Sequence, residues 1–167
     1  MSLSPNYTFY TDGGGYNHGK YKGLGAAAWV CVFKGTRIVS SNSASFLEST
    51  TNQMELMAVA MVLDFVEKNL EHFISEKCVW IHSDSKYVGK MFHKLEHESE
   101  ETLKLSGYEN IPYLIKLLHQ KQSLTQKGLT VCINWVKGHN GNIYNEYVDS
   151  LCTEAMGSRK KEEVWLS

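Results

Sequence analysis

Apolar and β-branched runs alternate with glycine-rich and polar stretches along the chain. Asn6 to Tyr10 is short, aromatic and β-prone, and Asp12-Gly13 reads as the turn that ends it. Gly13 to Gly25 holds six glycines and reads as a loop. Ala26 to Phe33 is an apolar run of strand length, and Arg37 to Phe46 follows as another strand after a turn at Lys34-Gly35-Thr36. These three strands predict an antiparallel meander.

The period then changes. Between Asn52 and Asn69, apolar residues at Leu56, Met57, Val59, Ala60, Leu63 and Val66 cover most of a helical circumference, so a largely buried helix is expected. Cys78 to Ser83 reads as a strand and Ser85 to about Lys94 as a helix. His97 to Tyr108 is polar and has no clear period. Ile111 to Gln122 reads as a helix with Pro112 in its first turn. Leu129 to Val136 alternates as a strand, Gly138 to Asn142 is a loop, and Asn145 to Met156 is a final helix with Tyr147, Val148, Leu151 and Cys152 inward. Strands first, then strands alternating with helices, imply a mixed sheet covered by helices.

The 167 residues suggest one domain, large enough for a core without metal or disulfide staples. Hydrophobic residues at 43% and charged residues at 21% argue against long disorder. No apolar run reaches the ~20 residues of a membrane span, so no membrane association is expected. Met1 to Asn6 reads as a short leader in which Ser2-Leu3 resembles a cloning remnant, and residues 157–167 as a tail. Cys31, Cys78, Cys132 and Cys152 are scattered without metal-ligand spacing, which suggests reduced core thiols in a cytoplasmic compartment. The net charge of −1 argues weakly against a surface that lives on non-specific nucleic-acid contacts. It leaves room for a site where bound cations supply the positive charge.

Four carboxylates stand out jointly rather than singly. Alone, Asp12 reads as a turn residue, Glu55 as the third helical residue after an Asn52 cap, and Asp84 as a helix cap. Asp149 sits in the last helix between Val148 and Leu151-Cys152, where a carboxylate close to an apolar face needs a partner. His139 lies between Gly138 and Gly141, at the end of a strand. Four convergent carboxylates would repel one another unless divalent cations joined them, and oxygen-only ligands select hard ions such as Mg²⁺ or Mn²⁺.

Four ordered fragments carry a resemblance to type 1 ribonuclease H. They are Tyr10-Thr11-Asp12-Gly13-Gly14, then Thr50-Thr51-Asn52-Gln53-Met54-Glu55-Leu56, then Ser83-Asp84-Ser85-Lys86-Tyr87-Val88. The last is Trp135-Val136-Lys137-Gly138-His139-Asn140-Gly141, followed by Asn145-Glu146 and Asp149. The resemblance spans about Tyr7 to Ala155. It implies an α/β fold with a five-stranded mixed sheet, three antiparallel strands then two parallel, and helices on both faces. It implies endonucleolytic hydrolysis of the RNA strand of RNA–DNA hybrids, leaving 5′-phosphate and 3′-hydroxyl ends. Asp12, Glu55, Asp84 and Asp149 would hold two Mg²⁺ ions, with Mn²⁺ as the substitute, and His139 would assist proton transfer or product release. Gly13, Thr51, Asn52, Gln53, Ser85 and Asn145 are the expected nucleic-acid contacts, in a monomer with no inferable protein partner.

Three departures from the family pattern matter. Asn52 stands three positions before Glu55 where the family usually has four, which leaves open which of Thr50 to Gln53 touches nucleic acid. The Lys90 to Lys121 segment balances five lysines against five glutamates and has no Trp or Arg, unlike the basic, Trp-containing protrusion of many bacterial members. The stretch before Tyr7 is expected to hold no separate hybrid-binding module of the kind many eukaryotic members carry. The alternatives are another nuclease of the same fold acting on DNA, and a non-catalytic nucleic-acid-binding or reverse-transcriptase-derived module.

Overall fold

The computed structural model describes residues 5–138 and 141–166, with side chains described through residue 161. Five strands form one sheet in the order β3-β2-β1-β4-β5: β1 Tyr7–Gly15, β2 Gly25–Phe33, β3 Arg37–Phe46, β4 Cys78–Ser83 and β5 Thr130–Trp135. β1, β2 and β3 pair antiparallel, while β4 pairs parallel with both β1 and β5. This is the expected mixed sheet. Lys34 and Gly35 both take left-handed backbone (φ 51° and 73°), which suits the right-handed twist of the β2–β3 hairpin.

The helices are α1 Thr51–Lys68, α2 Leu70–Phe73, α3 Lys86–His97, α4 Glu100–Leu105, α5 Ile111–Gln126 and α6 Ile143–Leu166, with a 3-10 turn at Ile74–Glu76. On one face of the sheet, Phe9, Trp29 and Ile81 pack with Leu56 and Leu63 of α1, Phe92 of α3, and Leu114 and Leu117 of α5. On the other face, Ala26, Ala28, Val30 and Val32 of β2 pack with Val148 and Cys152 of α6. Alternation along β1 and β2 feeds both layers, because successive side chains point to opposite faces. Each large side chain buried this way contributes about 1.5–3 kcal/mol relative to exposure. α1 is apolar nearly all round because it lies between the sheet and α5, whose Gln120 Nε2 donates to Ala60 O at 3.0 Å. No described helix is long and apolar enough to cross a membrane.

Several expected boundaries change. β1 does not end at Asp12-Gly13. It runs to Gly15, with Gly13, Gly14 and Gly15 opposite Ala27, Ala26 and Gly25. Small residues on both strands let the pairing continue, so only the stretch between Tyr16 and Leu24 is loop. The segment His97 to Tyr108 contains the end of α3 and all of α4, whose Ser99 cap accepts from Thr102 N–H. α5 continues to Gln126, and α6 continues to Leu166 rather than leaving a tail after Met156. All four cysteines are free. Cys31 and Cys152 are buried, whereas Cys78 and Cys132 are only half-buried.

Candidate active site

The parallel pairing of β1 and β4 ends at Thr11 opposite Ser83. The next residues are Asp12 and Asp84, so sheet register alone brings two carboxylates side by side where the β1–β4 pairing ends. Glu55 reaches them because Gly13 has no side chain. A Cβ built on Gly13 would fall 2.2 Å from both Glu55 N and Met54 C. The α1 backbone therefore lies directly on β1, one residue past Asp12.

The cap of α1 is not the one the spacing suggested. Thr50 caps the helix, accepting from Gln53 N–H at 3.2 Å, while the Gln53 side chain accepts from Thr50 N–H at 3.1 Å. Thr50 and Gln53 thus do what Asn52 and Glu55 were expected to do, and Glu55 points inward at 7% exposure. Asp84 is likewise free of capping, because Ser85 Oγ accepts from Val88 N–H at 3.1 Å at the start of α3. Both cap expectations thus fail for one physical reason: a hydroxyl two residues before Asn52, or one residue after Asp84, satisfies the helix N-terminus.

One carboxylate oxygen from each of Asp12, Glu55 and Asp84 lies within 4.8 Å of the other two. Burial is the main force pushing the Asp12 carboxyl above its ordinary range. Contact with the Asp149 carboxylate and the charges of Asp84 and Asp149 push the same way, against the Gly13 amide. Glu55 is pushed up by burial first, then by the charges of Asp12 and Asp84. Its Oε2 is buried with no hydrogen-bond partner among the described residues. Asp149 is exposed on α6, not tucked against an apolar face as expected. It joins the group through Asp12, and α6 is held there by Cys152 Sγ donating to Asp12 O at 3.3 Å.

Two residues of the C-terminal fragment, to which the sequence reading gave no role of their own, adjoin Asp84. Trp135 Nε1 donates to Asp84 O at 3.1 Å. A Cβ on Gly138 would approach Asp84 Oδ2 to 3.1 Å. Lys86 Nζ stands 5.5 Å over the Trp135 ring. Only an exposed aromatic at the end of β5, three residues before a glycine, could have signalled this wall. His139 and Asn140 lie outside the described residues.

The expected nucleic-acid contacts divide. Thr51 and Asn52 line an open recess of about 550 Å³ with Asn17, Thr50, Glu109 and Asn110. Gln53 is held by its own cap and donates to Asn110 Oδ1 at 3.1 Å, and Asn110 in turn donates to the Tyr87 hydroxyl at 2.8 Å. Gly13 is buried beneath α1, and Ser85 caps α3. Asn145 is buried near the start of α6 with its Oδ1 unpartnered among the described residues.

A family model described as RNase H matches residues 4–157. A protein named Ribonuclease H from Lachnoclostridium phytofermentans is 32% identical over 156 residues, 89% of this chain and 90% of its own length. One of the same name from Neorickettsia sennetsu is 31% identical over 163 residues, 91% of this chain and 93% of its own. Among solved structures, LC11-RNase H1 in complex with an RNA/DNA hybrid superposes with a TM-score of 0.70 at 19% identity, covering 92% of this chain and 98% of that one. The N-terminal RNase H domain of a Mycobacterium tuberculosis protein gives 0.66 at 20% identity, covering 96% and 99%. At these identities the structural likeness speaks to the fold.

Proposed function

The chain belongs to the RNase H family, and from that premise we propose that it hydrolyses the RNA strand of RNA–DNA hybrids at the site built by Asp12, Glu55, Asp84 and Asp149. The cut is endonucleolytic and leaves 5′-phosphate and 3′-hydroxyl ends. One observation carries the reading. Three carboxylates crowd within 4.8 Å, two of them buried, and Glu55 Oε2 has no partner among the described residues. Unneutralised, such a set is costly.

The donors fit hard divalent cations, since all are carboxylate oxygens and, among the described residues, no nitrogen or sulfur joins them. Asp12, Glu55, Asp84 and Asp149 would together hold two such ions. When bound, Mg²⁺ ions supply the charge that stabilises the attacking and leaving oxygens of a phosphodiester. The rest falls to the chain. The close approach at Gly13 fixes Glu55 against Asp12, and Trp135 and Gly138 wall in Asp84. His139 would carry the proton to the departing 3′-oxygen, since an unperturbed imidazole titrates near pH ~6.5. The recess at Thr51 and Asn52, with Asn17, would receive the nucleic-acid backbone, and Gln53 would shape it through its bond to Asn110, while Gly13, Ser85 and Asn145 would serve by holding α1, α3 and α6 in place. Selection of the RNA strand would rest on its 2′-hydroxyls in the minor groove of the hybrid.

The test is cleavage of one sequence presented as hybrid, RNA duplex and DNA duplex, with Mg²⁺ and with chelator. Cuts confined to the RNA strand of the hybrid and dependent on Mg²⁺ support the reading. Cleavage of the DNA duplex, or of nothing, overturns it.

A further inference from the structure

A second cluster of ligand-type side chains stands on α3, apart from the carboxylate site. His93, Glu96 and His97 occupy the i, i+3 and i+4 positions of that helix, so their side chains emerge on one face. One ligand atom from each lies within 4.8 Å of the other two. The two imidazole rings stand edge to face, with centroids 4.6 Å apart and planes at 66°. All three residues are exposed, and the core-facing residues of α3 are Val88, Met91, Phe92 and Leu95. The cluster therefore plays no part in packing.

Nor is it used by the polar network beside it. Lys94 Nζ donates to Tyr108 OH at 2.9 Å, Tyr108 OH donates to Glu98 Oε1 at 2.9 Å, and His119 Nε2 lies 3.0 Å from Glu100 Oε2. These bonds link α3, α4 and α5. Among the described residues, no hydrogen bond or ion pair engages His93, Glu96 or His97. An ordinary solvated helix face would scatter its charges. This one converges two imidazoles and a carboxylate.

We propose that His93, Glu96 and His97 form a second metal site, for a borderline transition cation of the Zn²⁺ class. Two nitrogens and one oxygen suit Zn²⁺, Ni²⁺ or Cu²⁺, whereas Mg²⁺ prefers an all-oxygen set. Two histidines one helical turn apart are a standard way to hold Zn²⁺. Ligands about 2 Å from a tetrahedral ion stand roughly 3.3 Å from each other, so closing the triad is a matter of rotating exposed side chains. Three protein ligands leave one position for water. His93 lies seven residues beyond Lys86, roughly 10 Å along the helix axis, so the ion would not touch the Asp84 carboxylate. It would clamp the last turn of α3, just before the extended Glu98 that leads into α4.

The experiment is a Zn²⁺ titration of the whole chain in excess Mg²⁺, followed by histidine-ring NMR and by melting temperature. We expect one equivalent bound, with the His93 and His97 ring signals shifting together and the melting temperature rising. His93→Gln and His97→Gln should each weaken Zn²⁺ binding by ~10-fold or more, since a lost ligand costs at least what a lost outer-shell partner does. Asp84→Asn should leave that binding unchanged. Mg²⁺-dependent hybrid cleavage by His97→Gln should match wild type, which shows that the variant folds. Zn²⁺ binding that survives both histidine variants, that disappears in Asp84→Asn, or that is not detected at all overturns the proposal.

Discussion

Asp12 and Asp84 are neighbours because Thr11 and Ser83 form the last parallel pair of β1 and β4. No loop needs to be ordered to bring them together. Open α/β sheets place ligands beyond the carboxyl ends of parallel strands, and here the end of the β1–β4 pairing presents two carboxyl groups side by side. The charge of Asp84 helps to raise the Asp12 carboxyl. The arrangement costs stability in the absence of cations and fits a role that needs them.

Removing one of these charges should separate function from stability. Asp12→Asn or Asp84→Asn should lower Mg²⁺-dependent hybrid cleavage by about 10²–10³-fold or more, as loss of a preorganised charge-stabilising group does. Without metal, Asp12→Asn should fold at least as stably as wild type, and at neutral pH by about 1–3 kcal/mol more, because folding no longer has to protonate a buried carboxyl that is ionised in the unfolded chain. Gel cleavage and chelator-treated melting curves check both halves. A fully active Asp12→Asn enzyme would refute the mechanism.

The same crowding predicts a pH dependence. Unfolded, both carboxyls ionise near pH ~4. Folded and metal-free, Asp12 and Glu55 hold their protons to higher pH, chiefly because they are buried. Above that range the folded state binds more protons than the unfolded state, so this contribution is full below pH ~4 and is lost as pH rises through the raised values. Chelator-treated wild type should therefore lose stability relative to Glu55→Gln between pH 5 and 8, and Mg²⁺ should remove the difference. Parallel melting curves for the two proteins would contradict it.

Much of this was legible in the sequence, and the exceptions share a cause. The β2–β3 hairpin, the buried α1 and the order of strands and helices follow from hydrophobic period and from turn residues such as Lys34-Gly35. The four carboxylates were legible only as a set, since each had an adequate local explanation. Local reasoning erred where tertiary pairing decided. Gly13 to Gly15 read as loop because glycine is a poor strand former, yet partners on β2 carry the strand through. Asn52 and Glu55 read as cap residues, yet Thr50 and Gln53 take that duty and leave Glu55 to the interior. The wall of Trp135 and Gly138 against Asp84 depends on β5 lying beside β4, a contact across about fifty residues.

Gly13 and Gly14 should respond differently to alanine. A Cβ at Gly13 meets the α1 backbone at 2.2 Å and can be admitted only by moving the helix that carries Glu55. Gly13→Ala should cost about 2–3 kcal/mol, in the range of overpacking, and should lower cleavage more than its stability loss accounts for. A Cβ at Gly14 meets only Met156 Cε, at 3.6 Å, and Gly14→Ala should stay within about 1 kcal/mol of wild type. Denaturant melts and steady-state rates of the pair decide; equal effects would remove the close-approach argument.

His139→Ala should act on turnover. With general acid–base assistance lost, kcat should fall by about 10²–10⁴-fold at most, and by about 10-fold at least if product release is shared with other groups. KM should change little, because the hybrid is held elsewhere, and Mg²⁺ affinity should persist, because hard ions prefer oxygen. Steady-state kinetics with a Mg²⁺ titration measure each quantity. Wild-type kcat would remove His139 from the mechanism, and a large loss of metal affinity would recast it as a ligand.

Binding should depend weakly on salt. The net charge is −1, and the Lys90 to Lys121 segment balances five lysines with five glutamates. Several cations are already engaged within the chain. Lys104 pairs with Glu100, Lys68 with Asp64 and Lys127 with Glu67, while Lys94 bonds Tyr108. Lys86 lies over the ring of Trp135, whose Nε1 donates to Asp84 O, and so is a lysine close to the site. With about two to four phosphates neutralised, and a duplex coefficient of about −0.9 per contact, the logarithm of affinity should fall with that of salt at a slope of about −2 to −4. Lys86→Ala should make the slope shallower by about 1. A binding series on catalytically silent Asp12→Asn, in constant Mg²⁺ and varied monovalent salt, measures both. A slope near −6 would mean that a basic surface elsewhere holds the hybrid, and an unchanged slope in Lys86→Ala would exclude that lysine from the phosphate contacts.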